Sequence, residues 1–190
     1  MTKGFLSVIA GMMLVQSSFA SVPTIALTFD TNIDLSTISS SSREMKIRTA
    51  EEKIKAVIAS DAFRTQVLNH TYRGVKKFVD NKGLTNSQIY YKILNAAERL
   101  QPTENNTMDM GVKTYYENSS TVGFTSSGSK FINMNTKFLD KYTPTNVTRN
   151  MMHEWLHKIG FSHAVSYSTS RDYSVPYGVG KIMETLARNY

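Results

Sequence analysis

The sequence predicts an α+β fold, and three observations predict it. Apolar residues recur at helical spacing among charges between Arg43 and Ala59. Short β-prone runs separated by polar turns fill residues 112–135. Beyond Pro144 an apolar stripe returns at every fourth position. Helices on both sides of a small sheet define the class, and a chain of 190 residues suits one domain with a real core.

The elements follow in order. Residues 24–30 (TIALTFD) have strand character, and the Ser/Thr-rich STISSSS soon after reads as a connector. Met45, Ile47, Ile54, Val57 and Ile58 give the helix over 43–59 its apolar face. Ser60 or Asp61 then caps a second helix through Phe63, Val67 and Leu68. Thr85-Asn86-Ser87-Gln88 fits a capping box, opening a helix through Tyr90, Ile93, Leu94 and Ala97 that closes before Pro102. The polar stretch QPTENNTMD reads as a loop. Val112–Glu117, Thr121–Thr125 and Lys130–Asn135 read as strands turned by NSS and SSGS. Pro144 marks the next helix start, with Val147, Met151, Trp155 and Ile159 on one face.

The first twenty residues read differently. Lys3 precedes the uncharged run FLSVIAGMMLV, and QSSFA ends in small residues. That is the order of a secretory leader, removed after Ala20 to leave residues 21–190 as one exported domain, secreted or periplasmic. The run is too short for a bilayer core, which needs about twenty residues, so no membrane anchor is expected once the leader is gone. There is no cysteine, so stability must come from the core or from a metal. The net charge is +7, with basic residues scattered and no aromatic-interleaved strip. That pattern argues against nucleic acid and for a solvated basic surface, mildly attractive to acidic partners. His70 stands alone at a helix end and reads as solvated or capping.

The chemistry concentrates in HEWLHKIGFSH, residues 153–163, which holds three of the four histidines. Four residues apart on a helix, His153 and His157 can offer ring nitrogens to one ion. Zn²⁺ accepts imidazole, and a catalytic zinc keeps three protein ligands and an open position for water. Glu154 lies beside the first ligand, within reach of that water. Gly160 can take the left-handed conformation that ends a helix and swing His163 back to the metal.

HEWLHKIGFSH fits HExxHxxGxxH, and the chain resembles the metzincin clan of zinc endopeptidases. The resemblance implies a metzincin-like catalytic domain: a small twisted mixed sheet, an active-site helix and, here, additional N-terminal helices. It implies one catalytic Zn²⁺ on His153, His157 and His163, with Glu154 as general base. It also implies a methionine turn, for which Met183 in SVPYGVGKIM is the natural candidate. An edge strand above the zinc, to which substrate adds antiparallel, is expected within TVGFTSSGSKFINMN. Thr185 stands where some metzincins carry a metal-binding tyrosine two residues after the turn methionine. Tyr177 is instead a candidate for contact with the oxyanion or the substrate, and for packing alike. The expected partner is a protein or peptide, cut by a monomer.

Two rivals stand beside this reading. A zinc-stabilised binding protein, such as an adhesin or inhibitor, would keep the site without catalysis. A gluzincin-type peptidase would take its third ligand from Glu184 on a short helix, METLARNY.

Overall fold

A computed structural model describes residues 21–30, 41–98, 100 and 105–190. The leader expected at 1–20 and most of the Ser/Thr-rich connector lie outside the described residues. Four strands, β1 (Thr24–Phe29), β2 (Thr107–Tyr115), β3 (Gly123–Phe124) and β4 (Phe131–Asn135), form one mixed sheet in the order β1-β2-β4-β3. β1, β2 and β4 run parallel, whereas β3 is antiparallel to β4 and closes that edge. Six α-helices accompany the sheet among the described residues: α1 (Ser41–Ile58), α2 (Asp61–Leu68), α3 (Asn86–Leu94), α4 (Thr136–Leu139), α5 (Pro144–Lys158) and α6 (Val175–Leu186). The α+β expectation holds. No described helix is long and apolar enough to cross a membrane.

Local chemistry explains the boundaries. Ser60 caps α2 by accepting from Phe63 N. Thr85 and Gln88 form the expected reciprocal box at α3, and Thr143 with Asn146 forms another at α5, where Pro144 fills the first turn. Ile47, Ala50, Ile54 and Val57 of α1 are fully buried, as are Val147, Met151, Met152, Trp155 and Leu156 of α5. α5 therefore lies at the centre, packed by α1 and α6.

Several expectations change. β2 begins at Thr107, inside the stretch read as a loop, because Met108, Met110 and Val112 alternate inward along a parallel strand paired with β1. Met183 lies inside α6 and not in a turn. Val175, Val179, Ile182, Met183 and Leu186 make one buried helical face there, so α6 already runs from Val175 where only METLARNY was read as helix. His70 is neither solvated nor a simple cap: it stacks on Phe78 with ring centroids 3.9 Å apart. The strand expected over Thr121–Thr125 shortens to Gly123–Phe124.

The back of α5 is tied down by polar groups. Trp155 Nε1 donates to Glu98 Oε1 at 2.5 Å, and Asp109 N donates to the same oxygen at 2.8 Å. Lys158, 1% exposed, donates to the carbonyls of Asp109 and Lys130. Buried polar groups need partners of this kind, and these fix the rotation of α5 against β2. The histidines are thereby turned towards the opposite side.

Candidate metal centre

His153 and His157 stand one turn apart on α5, on the side that the core leaves half open. The helix then ends in a left-handed reversal. Gly160 has φ +95°, its N–H donates to His157 O at 2.9 Å, and Phe161 N donates to Leu156 O at 3.0 Å. This paired closure is the Schellman arrangement, and it satisfies two helix-end carbonyls while reversing the chain. Three residues later His163 returns to the helix. The three ring centroids are 5.0–5.1 Å apart, and the ligand atoms all lie within 4.8 Å of one another.

The tautomers follow from the hydrogen bonds. His157 Nδ1 meets Phe161 O at 2.7 Å and His163 Nδ1 meets Ala164 O at 2.9 Å. A carbonyl only accepts, so each Nδ1 carries the proton and each Nε2 keeps its lone pair. The His153 ring is likewise hydrogen-bonded to the Pro176 backbone. Burial lowers all three imidazole pKa values, His153 well below the ordinary value with its neighbours' charges adding to the effect. That direction favours the neutral imidazole, the form that binds a metal. Yet His153 Nε2 and His163 Nε2 approach to 3.2 Å. Two lone pairs at that separation repel unless a cation lies between them. Nitrogens sharing a tetrahedral zinc at ordinary bond lengths sit about 3.3 Å apart. The residues therefore fit a metal ion, and carbonyl contacts to the remote ring nitrogens are the usual support for such ligands.

Glu154 is 4% exposed and its Oε2 has no partner among the described residues. Burial pushes its carboxyl up to about 8, and a cation nearby opposes that shift. Asn150 Nδ2 and Tyr115 Oη are also among the buried polar atoms without partners among the described residues. Asn150 sits one turn before Glu154 and faces β3: a Cβ at Gly123 would lie 3.0 Å from its Nδ2 and 2.7 Å from Asn133 O. Only glycine lets the edge strand come this close.

Tyr177, near the start of α6, packs edge-on against His153 at 4.5 Å and tilts against His163 at 4.7 Å. The Arg171 guanidinium covers its ring at 4.6 Å and donates to its hydroxyl. Glu184 is elsewhere: it pairs with Arg149 at 2.9 Å and Asn146 at 3.4 Å, and it is not part of the ligand group. Sequence reasoning missed Asn150, Tyr115 and the pairing of Arg171 with Tyr177. Asn150 was in reach, because four residues before Glu154 means the same helix face. The other two depend on tertiary contacts. Comparisons of the chain with protein families, with curated proteins and with solved structures gave no match.

Proposed function

We propose that this chain is an exported, zinc-dependent endopeptidase of the metzincin type. One observation carries the reading: three imidazoles bring their ligand atoms within 4.8 Å of one another, with the Nε2 atoms of His153 and His163 3.2 Å apart, on a helix that also carries a buried carboxylate whose Oε2 has no partner among the described residues. When bound, the ion supplies a Lewis acid and a water whose pKa falls towards neutrality. Glu154 accepts the proton of the attacking water and passes it to the leaving amine. Arg171 donates to the Tyr177 oxygen, which leaves the phenolic proton free to point at a developing oxyanion. β3 offers an outer edge with no described strand on it, suited to an extended peptide added antiparallel. A metal site with a purely structural role would have no use for the unpartnered Glu154.

The test uses an unstructured protein substrate with and without chelator. Cleavage that chelator abolishes is expected, and Glu154→Gln should keep its zinc while turnover falls by about 10²–10⁴. His157→Ala should lose both. Normal cutting by the Glu154→Gln variant would overturn the mechanism, and zinc binding with no cleavage of any substrate panel would assign the site to a binding protein.

A further inference from the structure

A cavity of about 300 Å³ adjoins His157, lined by Lys82, Thr125, Ser126, Ser127, Gly160, Phe161 and Ser162. Its chemistry is one-sided. Phe161, 2% exposed, is its only large apolar wall. Thr125 Oγ1 donates to Phe131 O at 2.9 Å, but no described residue engages the hydroxyls of Ser126, Ser127 and Ser162. No carboxylate lines it, and none of the ion pairs among the described residues involves Lys82. One ammonium and three free hydroxyls beside the ligand triad suit an anionic side chain that carries several acceptors.

The backbone turn that carries Lys82 is held in place, with the lysine itself exposed. Asn81 Oδ1 accepts from Gly83 N at 3.1 Å, and Asn81 Nδ2 donates to Leu84 O at 2.8 Å. Val79 N donates to Tyr173 O at 2.8 Å and Val79 O accepts from Val175 N at 3.2 Å, which fastens the turn to the start of α6. Asp80 and Lys82 both take positive φ, 52° and 54°, conformations that L-residues adopt at some cost. The turn is therefore specified, and it sets the lysine at a cavity that His157 itself lines. Asp80 lies on the same turn but does not line the cavity. The chain's net charge of +7 adds attraction for acidic substrates.

We propose that this cavity receives an Asp or Glu side chain of the substrate next to the scissile bond, and that Lys82 reads its charge. The proposal rests on the peptidase reading. The test takes the zinc-loaded full chain and peptides differing only in Asp, Asn or Lys at the positions flanking the cut, with kcat/KM measured for wild type, Lys82→Ala and Lys82→Glu. At one flanking position wild type should prefer Asp over Asn by about five- to tenfold. Lys82→Ala should erase that ratio, and Lys82→Glu should turn it towards Lys. An Asp/Asn ratio that stays the same in Lys82→Glu overturns the proposal, as does a wild type with no preference. The same peptides are titrated by fluorescence anisotropy onto zinc-loaded Glu154→Gln protein, with and without Lys82→Glu. Should no peptide be cut, the peptidase reading falls. The Asp/Asn ratio in binding, and its loss on charge reversal, still decides whether Lys82 selects an acidic group.

Discussion

Gly160 shows how one residue sets the site. Its φ of +95° lies where a Cβ meets the following carbonyl, and both helix-closing bonds depend on that conformation. Gly160→Ala should destabilise the fold by about 1–2 kcal/mol and weaken metal binding as well, since His163 reaches the helix only through this reversal. Urea unfolding of the metal-free protein measures the first effect, and zinc titration against a competing chelator the second. If Gly160→Ala bound zinc as tightly as wild type, the reversal would not be what positions His163. At this scale the sequence was highly legible: the spacing of His153, His157, Gly160 and His163 encodes a helix turn, a stop and a return, all local events. Lys82 was not legible as a site residue, because its place depends on Val79 bonding to residues 173 and 175 across a separation no spacing rule covers.

Among the elements, α1 and the α4–α5 corner are joined by a forked pair: Arg43 Nε meets Asp140 Oδ1 at 2.5 Å and Arg43 Nη2 meets Oδ2 at 2.6 Å. The hydrogen bond from Arg43, and then its charge, hold the Asp140 carboxyl below the ordinary carboxylate value, against an opposing effect of burial. A depressed carboxyl pKa stabilises the fold above the unfolded value, about 4, and that contribution is lost as pH falls through the folded one. The side chains are 21% and 49% exposed, so screening keeps the contribution at no more than about 1 kcal/mol. Asp140→Asn should therefore lower the urea midpoint modestly at pH 7, with the gap to wild type closing as pH falls well below 4. An equal gap at both ends would mean that the substitution disturbs packing instead of removing a charge. The helices that were legible, α1, α2, α3 and α5, carry strong apolar spacing or a recognisable cap. The first part of α6 escaped because SVPYGVGKIM was assigned to a methionine turn, whereas Pro176 occupies the first helical turn and Gly178 and Gly180 are buried within the helix.

For the whole molecule, the absence of cysteine leaves the core, and the ion proposed for the triad, as the means of holding the chain together. The core is continuous from β1 through α1 and α5 to α6, and Glu98 and Lys158 anchor the back of α5 without help from the histidines. The metal-free protein should consequently stay folded, with the triad's approach to 3.2 Å relaxing once no cation offsets the lone pairs. Zinc should then add stability by mass action, about 4 kcal/mol when free ion is a thousandfold above Kd. For a domain of this size that corresponds to roughly 8–16 °C in Tm. Scanning calorimetry with zinc and with chelator tests this, and Glu154→Gln should show the full shift while His157→Ala shows almost none. Hydrogen exchange should place the loss of protection after chelation in residues 159–177, where the Gly160 reversal, His163 and Tyr177 depend on the triad. A chelated protein that lost all protection, α1 and β2 included, would show that the metal builds the fold rather than joining a site the fold has already assembled.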